Sequence, residues 1–236
     1  MNSFLAIETT SDVCSVALIT RGRILSRETD EKRAHARLLV PMIQELLEEA
    51  GEELAGVAVS GGPGSYTGLR IGVSTAKGLA WSRSLPFFAV STLASQVSRF
   101  NLDHSKDSAR GVLSLIRARG SEVFSKRFEI DGDGKVHESP ANANSKAGAV
   151  QVLDNLEVSG SDFVVSHDES LIQELREMFP GIQTALTPLV AESMAPLLLN
   201  QEDEYRVNDL SSFEPFYLRE FTAKKSAKSV FDRLPF

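Results

Sequence analysis

The sequence predicts an α/β fold in two related halves, each starting with a β-meander and packed with helices. Three observations predict it. Near the N-terminus, three short apolar runs follow one another across brief turns. From Val112 the same pattern starts again. Between and after the meanders, segments of helical periodicity alternate with further apolar runs.

The first meander is Phe4–Glu8, Val13–Ile19 and Ile24–Ser26, joined by the turn formers Thr9–Asp12 and by Arg21-Gly22-Arg23. Cys14 lies inside the second run with no cation placed to activate its thiol, so it reads as a buried, inert residue. From Glu31 to Ala50, Leu38, Leu39, Met42, Ile43, Leu46 and Leu47 keep the three-four spacing of one helical face. Gly51 can cap that helix, and Pro41 removes one of its backbone donors. His35 precedes the apolar face and reads as a surface residue.

Val57–Val59 reads as a buried strand, and Gly61, Gly62, Pro63 and Gly64 after it as a tight turn. Ser65 and Thr67 can accept from free backbone N–H groups, so a helix is predicted from near Thr67. Gly68, Gly72, Ala76 and Ala80 recur every four residues and share one face. An interior glycine costs up to about 1 kcal/mol relative to alanine, so Gly68, Gly72 and Gly78 imply a packing reason. A stripe without side chains admits a neighbour very closely, either another helix of the same domain or a partner protein. Leu69, Ile71, Val73, Leu79 and Trp81 lie on the other faces, which predicts contact on more than one side. The turn before the helix is also a place where phosphate can bind. It is not a Walker loop, because Lys77 lies far down the helix, and no Gly-x-Gly-x-x-Gly run opens the helix. Leu85–Ser91 is the next strand, with Pro86 confined to its start, and a helix runs from there to about Phe100.

Asn101–Ser108 is polar and aperiodic and reads as a loop at a subdomain boundary. It divides the chain into 1–104, which carries the candidate partner-binding helices, and 105–236, whose last helix and tail can pack back on the first part. The second meander is Val112–Ile116, Glu122–Ile130 and Lys135–Glu138, with turns at Arg117–Ser121 and Asp131–Gly134. Asp131-x-Asp133-Gly134 lacks the ligand series of a calcium loop and reads as a hairpin turn. Ala147–Leu156 is predicted helical, Phe163–Ser166 a strand, Glu169–Phe179 an amphipathic helix and Leu189–Asn200 a further helix. Asp168 is a natural N-cap for the third of these, which explains His167-Asp168 better than a catalytic dyad does. Beyond Thr222, Lys224, Lys225, Lys228 and Arg233 read as solvated chain that can touch RNA phosphate, and Phe231, Leu234 and Phe236 can dock on a groove.

Composition bounds the function. Apolar residues at 42% and charged residues at 24% are those of a globular protein. A net charge of −7 and a pI near 5.2 argue against a broad nucleic-acid-binding face. One cysteine excludes an internal disulfide. Neither a signal peptide nor a bilayer-spanning apolar run is visible, which predicts a cytoplasmic location and no membrane association.

The run Gly62-Pro63-Gly64-Ser65-Tyr66-Thr67-Gly68-Leu69-Arg70-Ile71-Gly72, continued by Ala76-Lys77-Gly78-Leu79-Ala80, resembles the central signature of the TsaB (YeaZ) family, a relative of the Gcp/Kae-type proteins. Pro215-Phe216-Tyr217-Leu218-Arg219 is similar to a segment near that family's C-terminus. The first meander resembles the opening of the actin, hexokinase and Hsp70 superfamily, and the resemblance implies an actin-like (ASKHA) fold. In active superfamily members the first hairpin carries an Asp-x-Gly-x-Thr-like loop for the metal–nucleotide. Here the matching positions read Glu8-Thr9-Thr10-Ser11, and the glycine is missing. Glu8, Thr9, Thr10 and Gly64 are therefore the candidates for a degenerate nucleotide loop. Glu8 can still touch a metal, or it simply ends a strand near solvent. Metal-binding relatives place two histidines one helical turn apart where this chain has His35 and Leu39. Arg117-Ala118-Arg119 stands where the family has Asp-Ala-Arg, and Ser166-His167-Asp168 where relatives have a glycine-flanked turn.

The function implied is that of a non-catalytic scaffold or activating subunit in threonylcarbamoylation of the tRNA adenosine next to the anticodon. Such a subunit binds TsaD, which carries the chemistry, and supports recruitment of the ATPase TsaE. The resemblance implies no catalytic or metal residue and no cofactor of its own, with ATP or ADP at or near the TsaD interface. It also implies a homodimer when the chain is alone, and tRNA reached only through the complex. Leu38, Leu39, Met42, Leu46, Gly68, Gly72, Thr75, Ala76 and Leu79 are the candidate partner interface. The alternative is a nucleotide-binding enzyme of the actin superfamily, an ATPase or small-molecule kinase. A glycoprotease reading finds no nucleophile–base pair or metal motif.

Overall fold

The computed structural model describes residues 3–31, 34–51, 53–104, 110–140, 150–158 and 163–217. The first half runs β1 (Ser3–Glu8), β2 (Cys14–Ile19), β3 (Ile24–Thr29), α1 (His35–Ala50), β4 (Leu54–Ser60), α2 (Tyr66–Arg83), β5 (Phe87–Val90) and α3 (Thr92–His104). Its sheet has the order β3-β2-β1-β4-β5. The first three strands are the antiparallel meander; β4 and β5 add in parallel through the crossovers α1 and α2.

The second half repeats this wiring with β6 (Arg110–Arg119), β7 (Glu122–Ile130), β8 (Val136–Glu138), β9 (Val150–Val152), β10 (Phe163–Ser166), α4 (Glu169–Met178), β11 (Gln183–Leu186), a 3-10 helix Ala191–Met194, α5 (Ala195–Asn200) and α6 (Glu202–Tyr205). Its sheet runs β11-β10-β6-β7-β8, with β9 paired to β7. So β6 stands to β7, β8 and β10 as β1 stands to β2, β3 and β4. The fold is the actin-like duplication.

Apolar patterning sets the layers. Each of β1 and β2 is buried along its whole length, because both faces of the first sheet are covered. One face meets α1 and α2, with Leu39, Met42, Ile43 and Leu46 against Leu5, Ile7, Val16 and Val59. The other face packs on α3 and α5, where Phe4, Ala6 and Phe88 share a core with Val97, Phe100 and Leu197. The second sheet covers the far side of those two helices and carries α4 outside. The C-terminal strap then returns to the first half. Val207 N–H donates to the Phe87 carbonyl at 2.9 Å, and Phe216 N–H to the Gly61 carbonyl at 2.7 Å. No helix of the described residues is long and apolar enough to cross a membrane.

Several local expectations are corrected. Val150–Val152 is a strand, not part of a helix over Ala147–Leu156, because its two valines suit a ladder and β7 offers Glu122–Phe124 as a partner. Leu153–Asn155 is a single 3-10 turn, and 147–149 lie outside the described residues. The loop expected from Asn101 starts later: α3 continues to His104, held by the Arg99–Asp103 ion pair at 3.0 Å and by stacking of His104 on Phe100. The rest of that expected loop, 105–108, lies outside the described residues. Arg117–Arg119 belongs to β6, and the turn is confined to Gly120-Ser121, where Gly120 has φ +59°. The first helix starts at His35, not at Glu31. Gly51 caps it in the left-handed conformation, as expected. The tail with Lys224, Lys225, Lys228, Arg233 and the last apolar residues lies outside the described residues, as do Leu218 and Arg219.

Candidate functional site

The β1–β2 turn grips the start of α2. Ser65 caps this helix, its hydroxyl accepting from Gly68 N–H at 3.3 Å. Ser65 N–H donates to the Thr10 carbonyl at 2.8 Å. Thr9 Oγ1 donates to the Gly68 carbonyl, also at 2.8 Å. The glycine end of the small-residue stripe, Gly68 and Gly72, therefore faces Thr9, while Ala76 and Ala80 pack into the core of the first half. A Cβ on Gly64 would stand 2.4 Å from Thr10 Cβ, and one on Gly72 would stand 2.2 Å from Thr9 Oγ1. Gly68, Gly72 and Ala76 are buried inside the chain, which corrects their assignment to a partner surface. Leu39, Met42 and Leu46 are corrected likewise: all three are buried against the chain's own sheet.

Glu8 does not end its strand near solvent. It is fully buried at 0% exposure. Its Oε1 accepts from Thr10 N–H at 2.7 Å and from Thr10 Oγ1 at 2.6 Å, and its Oε2 accepts from the Ser60 hydroxyl. Burial raises its pKa above the ordinary 4.5, against the lowering effect of the Ser60 and Thr10 hydrogen bonds. Cys14 is buried too, and burial with the nearby Glu8 charge pushes its thiol up to about 11. His35 is half-buried rather than on the surface, with Nε2 3.0 Å from the Ser11 carbonyl, which it serves as donor.

The turns at the same end of both sheets enclose a cleft of about 680 Å³ between the halves. Thr10, Gly64 and Tyr66 line one side, and Ile116, Arg117 and His167 the other. Arg117 is held there by its whole fork. Nε donates to Asp168 at 2.9 Å, Nη2 to Glu174 at 2.7 Å, and Nη1 to the Gly120 carbonyl at 3.0 Å. Asp168 also caps α4, accepting from Leu171 N–H at 3.1 Å. The His167 ring is partly buried, and its Nδ1 has no hydrogen-bond partner among the described residues. Burial lowers its pKa, while Asp168 and Asp12 act in the opposite direction.

These residues do not fit the phosphates of a nucleotide. The Thr10 N–H that a phosphate would need already serves Glu8. The space that a backbone approach would need is filled by Thr10 at Gly64 and by Thr9 at Gly68 and Gly72. The guanidinium in the cleft is neutralised by two carboxylates. Glu8, Thr9, Thr10 and Gly64 do come together, but as the packing between turn and helix.

A second feature lies on the outside of the first half. Val40 and Leu47 of α1 and Thr75, Gly78, Leu79 and Ser82 of α2 line an open groove of about 290 Å³. Val40 is 47% exposed, and Trp81 on α2 is 74% exposed. A Cβ on Gly78 would meet nothing within 4 Å among the described residues. Of the expected interface residues, Thr75 and Leu79 reach this groove, and Leu38 is half-buried nearby on α1. Sequence patterning alone does not put Val40 and Gly78 on that face. Val40 falls outside the three-four stripe of α1, and that was the available signal.

The model of the family described as TsaD, tRNA N6-adenosine threonylcarbamoyltransferase, matches residues 24–225. The tRNA threonylcarbamoyladenosine biosynthesis protein TsaB of Escherichia coli (strain K12) is 31% identical over 94% of this chain and 96% of that one. A Pseudomonas aeruginosa protein, described as similar to the peptidase YEAZ, superposes with a TM-score of 0.77 at 28% identity, over 93% of this chain and 100% of that one. The structure of YeaZ from the same organism gives a TM-score of 0.74, also at 28% identity, over 92% and 100%. Sequence, fold and the glycine-rich turn at the head of α2 agree: the chain belongs to the TsaB (YeaZ) family, related to the threonylcarbamoyltransferases.

Proposed function

We propose that this chain is a non-catalytic subunit in biosynthesis of threonylcarbamoyladenosine in tRNA. It docks on the threonylcarbamoyltransferase TsaD through the α1–α2 groove and supports recruitment of TsaE. The observation that carries the docking surface is Gly78. Its cost of about 1 kcal/mol in a helix interior goes with no close neighbour at the Cβ position among the described residues, unlike Gly68 and Gly72. Beside it lie exposed Val40 and Trp81, apolar area of the kind that a partner covers. The same face would also join two copies of the chain as a homodimer when TsaD is absent. The pathway is supported by the relatives named above.

The cleft supports a non-catalytic role for the reasons already given, so an ATP or ADP at the TsaD interface would be held by the transferase's residues. The second reading is an actin-superfamily ATPase or kinase: the size of the cleft, about 680 Å³, favours it, and the occupied Thr10 N–H and the paired Arg117 count against it. Calorimetry of the isolated chain with ATP and magnesium separates the two: no heat of binding is expected, and binding with turnover would overturn the subunit reading. The direct test is reconstitution. TsaD, TsaE, the threonylcarbamoyl-adenylate synthase, ATP, threonine, bicarbonate and tRNA are combined with and without this chain. Modified adenosine is expected only with it, and equal formation in both would refute the proposal.

A further inference from the structure

We propose that the strap from Arg206 to Tyr217 is a clasp on the mouth of the cleft, with Lys77 as its catch, and that a protein seated on the α1–α2 face keeps it shut. The last clause rests on the docking reading above; the clasp itself does not.

The strap is fastened by backbone only near its two ends. At the start, Arg206 pairs with Phe88 in a single antiparallel bridge, and Val207 N–H reaches the Phe87 carbonyl. At the far end, Phe216 N–H reaches the Gly61 carbonyl. Among the described residues, no backbone hydrogen bond ties 208–215 to the rest of the chain. Asn208, Asp209, Ser211, Ser212 and Glu214 are exposed. The middle is held instead by one ammonium. Lys77 Nζ donates to the Phe213 carbonyl at 3.0 Å and to the Ser211 carbonyl at 3.4 Å. Asp209 shapes the turn that presents these two oxygens, accepting from Ser211 N–H at 2.9 Å and from the Ser211 hydroxyl at 2.6 Å. The Phe213 ring lies 5.3 Å from that of Phe87. A segment with so few fastenings opens locally far more readily than the sheets it crosses.

What the strap covers gives the clasp its role. The Tyr217 ring lies 5.1 Å from that of Tyr66, which lines the cleft. A Cβ on Gly62 would stand 2.8 Å from the Phe216 carbonyl oxygen, so the end of the strap presses on the glycine turn beside the mouth. Release therefore frees one wall of the mouth. The catch also sits on the helix that carries the docking face. Arg70, Ser74, Gly78 and Trp81 form an exposed row along α2. Lys77 borders this row on the strap side, and Thr75 and Leu79 border it on the α1 side. A protein on the row excludes water from the half-buried Lys77, and water is what competes with the two carbonyls for the ammonium.

The test uses the full chain carrying Ala118→Cys as a reporter inside the cleft, where Ala118 lies on the lining. Hydrogen exchange of peptides covering 211–217 reads the clasp, and maleimide labelling of the reporter reads the mouth. Lys77→Met keeps the stem and removes the donor, so both rates should rise about tenfold. Lys77→Arg restores a cationic donor and should return both towards the parent. Asp209→Ala, which loosens the turn without touching α2, should speed the same two processes. Unchanged exchange in Lys77→Met and Asp209→Ala overturns the proposal. So does faster exchange with unchanged labelling, because the strap would then not guard the cleft, or equal behaviour of the methionine and arginine variants, because the catch would then not be a cation. Adding TsaD to the parent should slow both rates about tenfold. Bound TsaD with no slowing removes the coupling and leaves the docking reading intact. If TsaD does not bind the parent, the docking reading fails, and the measurements on the chain alone still decide the clasp.

Discussion

Thr9 and Gly68 are interlocked: the Thr9 hydroxyl donates to the Gly68 carbonyl at 2.8 Å, and a Cβ on Gly68 would lie 1.8 Å from the Thr9 carbonyl oxygen. Only a glycine lets the β1–β2 turn sit this close to the helix. Gly68→Ala is therefore expected to cost more than about 3 kcal/mol, because backbone must move on one side or the other. Gly72→Ala meets the Thr9 side chain instead, which can rotate away at the loss of one hydrogen bond, so about 1–3 kcal/mol is expected. Thr9→Ala should rescue part of the Gly72→Ala loss and none of the Gly68→Ala loss. Urea denaturation of the singles and doubles checks this coupling.

Glu8 gives a pH dependence of definite sign. Its folded-state pKa is raised, so below about 4.5 both folded and unfolded chains hold the proton and the group is neutral to stability. As pH rises above that value the unfolded chain ionises first, and stability falls until the folded carboxyl ionises as well. Glu8→Gln keeps an acceptor for Thr10 and offers Ser60 a donor. It is expected to be at least as stable as the parent at pH 7.5 and to flatten the decline above 4.5. A variant that loses more stability at pH 7.5 than at pH 4.5 would show that the buried charge is favourable.

Cys14 should be inert in the folded chain. With the thiol near 11 and the side chain 1% exposed, a neutral thiol reagent at pH 8 is expected to label it only after unfolding. Labelling kinetics with and without urea measure this, and rapid labelling of the native chain would contradict the burial.

Gly78 separates folding from docking. Gly78→Ala removes a helix penalty with nothing among the described residues to clash against, so stability should rise by about 0.5–1 kcal/mol. Gly78→Leu should also fold, yet fill the groove and weaken the TsaD complex at least tenfold. Thermal melting and titration with TsaD read the two effects independently. Tight binding by the leucine variant would move the interface elsewhere.

The sequence by itself determined the two meanders, the helix caps at Gly51, Ser65 and Asp168, and the family, because strand alternation, turn chemistry and a contiguous signature are local properties. It also showed that the glycines of α2 needed a reason. Only the tertiary structure decided what that reason was. Gly68 and Gly72 share a face that Gly78 does not, and what stands opposite that face is Thr9, brought in from the first hairpin. The same holds for Glu8, whose burial depends on Ser60 at the end of β4, and for Val150–Val152, whose strand exists because β7 offers a free edge. Periodicity records which residues share a face. What stands opposite that face, and whether it belongs to the chain or to a partner, is set by distant packing.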